Sequence, residues 1–397
     1  MVHPGAELYG SDRVFLDSAR ELLRQGWSVT VALPDSGPLV GELEELGISV
    51  RRVPGPVLRK SALRPAGMAR LVRDSFAFLR PARQLLDEVG PAVVYVSTVT
   101  LPLWLLGARA MGHPVLCHVH EAETGIPRWM QRLLAVPLHA ADMLVLNSAF
   151  SRRVLLESAP RLDRRSSVLL NPVPGPPTVK PARIALDDGP SVLFIGRLSP
   201  RKGPQVALSA VEELRRREVP VRLDLLGAVF PGYEWFEESL RREVTRSGLD
   251  DQVRFLGFCP DVWPALAAAD VVVIPSVADE PFGNAAVEAV LSARPVIASD
   301  SGGLVEAVQG YRSAMTVPRE DPSALADAIE QITSGWSERR LLAIEDAAVA
   351  ADRHSLHTYG LALDGLLHAA EARRNRRRTG GRRRTAQDRA LRSRYRA

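Results

Sequence analysis

Short apolar runs, each closed by a polar turn and followed by a helical pattern, recur along the whole chain. The first half holds WSVTVAL, AVVYVS, PVLCHVH, DMLVLNS and SSVLLN; the second holds SVLFIGR, VRLDLLG, QVRFLGF, DVVVIPS, RPVIASD and AMTVP. Strands alternating with helices at this spacing predict an α/β fold with parallel sheets covered by helices on both faces. The number of runs fits two Rossmann-like domains. Between them, NPVPGPPTVKPARIALDDGP (Asn171 to Pro190) is too rich in proline for regular structure and predicts a semi-stiff connector. The expected organisation is a Rossmann-like domain over 1–175, a second over 176–350, a helix over 351–372 that returns to the first, and a disordered Arg-rich tail over 373–397.

The first domain has little room for its central strand. A phosphate-loop-like stretch, HPGAELYGSDR, begins at His3, so only Met1 and Val2 stand where that strand belongs. The first strand is therefore expected to be missing, the recorded start lying downstream of the true one. Losing a central strand outright would open two ladder edges and expose much apolar surface.

At 397 residues and 46% apolar, the chain is long enough for two cores, which argues against a solitary small binding module. Cys117 and Cys259 are far apart with no CxxC spacing, so neither a disulfide framework nor a zinc knuckle is indicated. The N-terminus MVHPGAELYG has neither the basic start nor the apolar core of a signal peptide, and a reducing cytosol fits best. Val89 to Ala108 is uncharged and long enough to cross a bilayer, but VVYVS reads as a strand and Pro102 opens a helix, which breaks the span.

Partitioning the net charge of +5 changes its meaning. Arg373 to Ala397 carries twelve arginines and one Asp, a net +11, so everything before it sums to −6. The basic character belongs to the tail, and a fold built to bind specific nucleic acid loses its support. A second basic stretch, residues 51–83, sets nine Lys or Arg and the single acid Asp74 among Leu63, Met68, Leu71, Val72, Phe76 and Leu79. It reads either as a solvated helix face or as a basic amphipathic segment suited to an anionic membrane surface.

Candidate chemistry gathers after the strands of the second half. GRLSPRKG places Arg197 and Lys202 where a strand gives way to a loop and a helix, a position that suits a diphosphate. EPFGNAAVE, after VVVIPS, puts Glu280 in the loop ahead of a helix and Glu288 about one turn inside it. Ionised carboxylates only accept, so paired hydroxyls are natural partners: a ribose diol, or vicinal hydroxyls on a sugar. Gly302 and Gly303 form another backbone loop downstream. In the first half, His118 and His120 share one face at the end of PVLCHVH, with Glu121 and Glu123 following. A metal pair, a structural histidine and a strand-end histidine facing a cleft are all open readings.

Together, GRLSPRKG, VRFLGF, EPFGNAAVEAVLSARPVIASDSGG and CHVHEAE resemble the retaining GT-B glycosyltransferases of family 4, also called group 1, over nearly all of residues 3–370. The resemblance implies two Rossmann-like domains facing across a cleft and transfer of a sugar from a nucleotide-diphosphate sugar, the co-substrate, with no resident cofactor and no divalent metal. It implies that Arg197 and Lys202 hold the donor diphosphate and that Glu288 binds the ribose. Glu280, with the backbone at Phe282, Gly283 and Asn284, holds the moving sugar. His120 meets that sugar from the first domain, and Gly10 lies close to the phosphates, although the family's Gly-Gly pair here begins with Tyr9. Retention through an oxocarbenium-like transition state follows, with electrostatic stabilisation of the leaving diphosphate as the main catalytic term.

The basic segments point to a glycan or polyprenyl-linked acceptor in cell-envelope polysaccharide or glycolipid synthesis, and to a cytoplasmic protein peripheral to the inner face of the membrane. A GT-B sugar-nucleotide epimerase and a non-catalytic GT-B scaffold are the rivals. The sequence does not choose among UDP, GDP and dTDP.

Overall fold

The computed structural model describes residues 1–8, 10–58, 65–122 and 124–394, with side chains at 65–68, 70–72 and 377–394 outside the description. The chain divides into two compact units. The first comprises Met1–Asn147, Ser151–Leu170 and Leu356–Ala397, and the second comprises Ser148–Phe150 and Asn171–Ser355.

In the first unit the strands are β1 (Thr30–Leu33), β2 (Ser49–Arg52), β3 (Val94–Ser97), β4 (Val115–Val119), β5 (Met143–Leu146) and β6 (Ser166–Val168). All their pairings are parallel, β1 with β2 and β3 through β6 in sequence. Each expected run holds a strand. β2 escaped notice because SVRR is a largely exposed edge with no apolar run to mark it. The run 89–108 divides into β3 and the helix Pro102–Ala110, and no helix among the described residues is long and apolar enough to cross a membrane.

The expectation of a missing first strand needs refinement. Val2 bridges Ala32 of β1 and Val96 of β3 in parallel. Its N–H donates to the Tyr95 carbonyl at 2.8 Å, and its own carbonyl accepts from Ser97 at 2.9 Å. A stub of Met1–His3 therefore occupies the central position, and the order becomes β2-β1-stub-β3-β4-β5-β6. Both inner ladder edges are met by a few hydrogen bonds rather than left open.

The second unit has one parallel sheet of β7 (Ser191–Ile195), β8 (Arg222–Leu226), β9 (Val253–Gly257), β10 (Val271–Ile274), β11 (Val296–Ser299) and β12 (Met315–Val317). Its order is β12-β11-β10-β7-β8-β9. Strand order reverses between β7 and β10, and the loops leaving their carboxyl ends diverge there. This is where open α/β sheets bind ligands. VVVI of β10 is buried on both faces, as a central parallel strand requires.

The proline-rich connector is not a free spacer, and the boundary falls at Leu170/Asn171 rather than at 175. The Asn171 amide donates to Asn284 Oδ1 at 2.9 Å, and Val173 N–H donates to the His354 carbonyl at 3.2 Å. Arg183 grips Asp270 at 2.6 Å, and the Trp336 indole donates to the Arg183 carbonyl. Prolines prevent a ladder, but side chains strap the segment to the second unit instead. Arg294 completes the strap. Fully buried, it donates to the carbonyls of Leu266, Ala267, Lys180, Ser292 and Ala293 at 2.7–3.1 Å. Burial lowers its pKa to about 10, which leaves it charged at neutral pH.

The last helix runs over Leu356–Arg394 in the first unit. Tyr359 shares a 2.6 Å bond with Ser18, Asp364 accepts from the Trp27 indole at 2.7 Å, and Leu363, Leu367 and Ala370 join the core around Phe15 and Leu22. Helical backbone thus continues past residue 372, where disorder was expected. Low hydrophobicity argues against packing, but Arg, Ala and Gln favour helix and no proline intervenes. Residues 395–397 lie outside the described residues.

Replacing Arg294 with Met strands several buried carbonyls at once. The unfolding free energy of the second unit is expected to fall by about 3 kcal/mol or more. Urea denaturation followed by tryptophan fluorescence checks this; an unchanged midpoint would contradict the assigned role.

Candidate functional site

β7 hands over to a loop carrying Arg197, a single 3₁₀ turn (Pro200–Lys202) and the helix Pro204–Arg216. Gly203, at φ +76°, lies so close to the next loop that a Cβ would stand 1.9 Å from the Pro275 carbonyl oxygen. Only glycine permits that approach. β10 hands over to the loop that holds Ser276 and Glu280, followed by the helix Asn284–Leu291. The two loops meet side chain to side chain. Lys202 Nζ lies 2.8 Å from Glu280 Oε1, and Ser276 Oγ donates to the same oxygen at 2.9 Å.

Glu280 is the more deeply held partner, its side chain 8% exposed against 30% for Lys202. Its backbone is fixed as well: its carbonyl accepts from Gly303 N–H at 2.7 Å, and it bridges Gly302 in the loop after β11. The carboxylate is therefore immobile, whereas the lysine keeps one side toward solvent. A long flexible ammonium can exchange one anionic partner for another where a short buried carboxylate cannot.

Phe282 is buried with its ring 5.8 Å from that of His354, so only its backbone is available to a ligand. Gly283 precedes the helix Asn284–Leu291, and no side chain caps that end. Uncapped N–H groups and the helix dipole there favour an anion or polar oxygens. Asn284 is oriented by Asn171, and Glu288 sits half-buried one turn further on. Arg197 is exposed, its guanidinium 3.3 Å from the centroid of the Phe230 ring. The ring face attracts the cation and holds it beside the β7 loop.

The structure thus joins Lys202 and Glu280 directly, and Phe282, Gly283, Asn284 and Glu288 follow Glu280 along the loop and the helix Asn284–Leu291. Arg197 belongs to the β7 loop. Sequence reasoning missed Ser276, Phe230, Gly203 and Asn171. Ser276 closes VVVIPS and Gly203 closes GRLSPRKG, so both had a positional signal; Phe230 and Asn171 had none.

Comparison with known proteins follows the same division. Residues 9–175 match Glycosyltransferase Family 4, and residues 189–334 match Glycosyl transferases group 1. The D-inositol 3-phosphate glycosyltransferase of Corynebacterium urealyticum is 30% identical over 370 residues, covering 85% of each chain. The chain belongs to the group 1 glycosyl transferases. The enzyme of the same name from Pseudarthrobacter chlorophenolicus is 35% identical, but the match spans only 44% of its length. Anabaena HepE, solved with UDP, superposes with a TM-score of 0.77 at 22% identity, covering 93% of this chain and 98% of that one. Sucrose-phosphate synthase from Thermosynechococcus elongatus gives 0.69 at 20% identity, covering 89% and 92%. The architecture is the two-domain GT-B fold.

In the first unit of this group 1 transferase, Gly10 opens the helix Gly10–Arg24, while Tyr9 lies outside the described residues. The rings of His118 and His120 lie 4.1 Å apart between centroids, tilted by 37°. His118 Nδ1 shares a 2.6 Å bond with the Tyr95 hydroxyl, and both Nε2 atoms are buried without a hydrogen-bond partner. Burial pushes the pKa of His118 down to about 3 and that of His120 well below its ordinary value. Both imidazoles are neutral at physiological pH. Glu121 accepts from the Thr98 hydroxyl and from His120 N–H, while Glu123 lies outside the described residues. No group of three metal-binding side chains converges among the described residues.

Neutral burial makes the fold sensitive to acid. The folded pKa of His118, about 3, lies below the ordinary 6.5, so below pH 6.5 protons favour the unfolded chain. Between pH 7.5 and 5 the first unit is expected to lose roughly 2 kcal/mol through this residue. Urea unfolding at the two pH values measures it, and His118→Gln should flatten the dependence; an unchanged slope in that variant would assign the loss elsewhere.

Proposed function

We propose that this protein transfers a sugar, with retention of anomeric configuration, from a nucleoside-diphosphate sugar to an acceptor bound by its first unit. The observation that carries the reading is the Lys202–Glu280 pair at the strand-order reversal of the second unit, ahead of an uncapped helix N-terminus. An arriving diphosphate takes Lys202 and Arg197 as counter-charges, and their stabilisation of the leaving phosphate supplies the main rate term. Glu280, fixed by Ser276 and the Gly303 N–H, accepts from hydroxyls of the moving sugar. The backbone N–H groups from Phe282 to Asn284 donate to the same sugar. Glu288 accepts from the ribose diol, and Gly10 leaves room for phosphate. His120, neutral with an unpartnered Nε2, exchanges a hydrogen bond with a substrate hydroxyl. These side chains account for the charge on the leaving group without a divalent metal.

For the acceptor we favour a glycan or polyprenyl-linked molecule of the cell envelope, in keeping with the basic stretch at 51–83. Side chains in part of that stretch, including 59–68, lie outside the described residues. The relatives named D-inositol 3-phosphate glycosyltransferases support a second reading, a phosphorylated polyol acceptor.

Purified protein is mixed with UDP-, GDP- and dTDP-sugars, alone, with lipid extract, or with D-inositol 3-phosphate, in the presence and absence of EDTA. Release of one free nucleotide is expected, dependent on one acceptor and unaffected by chelation. Glu280→Ala and Lys202→Ala should each lower kcat by about 10²-fold or more. No nucleotide release from any donor, with Glu280→Ala binding like the parent, would sink the transferase reading and leave the scaffold; interconversion of donors without release would favour the epimerase.

A further inference from the structure

The first unit carries an exposed apolar stripe that its core does not use. In the helix Arg128–Ala135 and the 3₁₀ turn Val136–Ala140 that continues it, Trp129, Leu133 and Val136 are each at least 60% exposed. Their spacing of four and then three residues puts them on one face. On another side of the same element, Ala135 and Leu138 are buried in the core cluster that includes Val119 and is flanked by Leu155. Water therefore meets three large apolar side chains in a row on a helix already anchored from beneath.

Two neighbouring helices also expose large apolar side chains. The 3₁₀ turn packs against the helix Pro102–Ala110, which exposes Leu106, and that helix packs against Pro65–Val89, joined by an edge-to-face contact between Phe78 and Trp104. Pro65–Val89 exposes Phe76 and Leu79 beside Arg80. Arg128 and Arg132 flank the Trp129 stripe, and no acid occurs between Arg128 and Ala140. Scattered single apolar residues need no explanation, but three in a row on one face of a helix, edged by arginine, do.

We propose that this face docks on an anionic lipid bilayer, with Trp129, Leu133 and Val136 entering the acyl boundary and Arg128 and Arg132 meeting the headgroups. Charge decides among occupants. Trp and Leu interleaved with Arg is the composition of a helix lying in the membrane interface. A second copy of the chain would oppose arginine to arginine in a two-fold contact. The proposal does not depend on which sugar or acceptor the second unit and its partners employ, since lipid binding is measured without turnover.

The test uses the full chain with vesicles of phosphatidylcholine alone or mixed with phosphatidylglycerol, with plain or brominated acyl chains. The parent should sediment only with the mixed vesicles, and brominated chains should quench its emission. Trp129→Phe should lose most of that quenching while still sedimenting. Trp129→Ser with Leu133→Ser should melt like the parent, since both sites are exposed, and partition at least about tenfold more weakly. A parent that stays in the supernatant overturns the proposal, as does quenching that survives Trp129→Phe, which would put another tryptophan such as the exposed Trp235 at the bilayer, or undiminished sedimentation of the double variant, which would assign the binding to the Arg-rich tail. A lipid-free dimer that the double variant abolishes would assign the face to a second copy.

Discussion

The second unit depends on how closely its loops approach one another. Where β7 and β10 part, the backbone at Gly203 rests against the Pro275 carbonyl, and the loop after β11 rests against Glu280. Any side chain at Gly203 would push the two loops apart and separate Lys202 from Glu280. The ion pair is thus a consequence of backbone contact, and so is the rigidity of the carboxylate. A largely buried pair of this kind adds little net stability, because desolvation offsets most of its attraction. The proposed transfer of Lys202 from Glu280 to a donor diphosphate would account for its presence.

The same economy runs through the first unit in the opposite sense. There, burial removes charge rather than pairing it. His118 and His120 are held neutral against each other, so what they present is an unpartnered ring nitrogen, not a cation. One unit therefore gathers fixed charges at the carboxyl ends of its strands, while the other offers neutral hydrogen-bonding groups and an exposed apolar, arginine-edged flank. The basic isoelectric point reflects neither of these, being dominated by the last residues of the chain.

Much of this was legible in the sequence, because parallel strands buried on both faces must be written as unbroken apolar runs. VVVIPS and SVLFIGR could be read as strands on sight, and with them the loops that hold Glu280, Arg197 and Lys202. What stayed hidden depends on partners distant in sequence. Nothing in SVRR marks an edge strand, and nothing at Phe230 says that Arg197 will stack on it. The stub at Val2 supports two ladders with only a handful of hydrogen bonds, too few residues for any pattern. The connector misled because proline content reports what backbone cannot do, and is silent about Arg183, Arg294 and Asn171, which tie it down. The stripe at Trp129 was passed over because its period became informative only once burial showed which face was left outside.

The central claim is that Lys202 and Glu280 are joined before the donor arrives and do different work afterwards. Calorimetric titration of UDP, GDP or dTDP, whichever nucleotide turnover identifies, into the parent, Glu280→Gln and Lys202→Met tests it most directly. Freed from its carboxylate partner, Lys202 should bind the diphosphate at least as tightly in Glu280→Gln as in the parent, while Lys202→Met weakens binding about tenfold or more. Equal losses of nucleotide affinity in both variants would contradict the account, because the pair would then be a single structural unit rather than two groups with separate tasks.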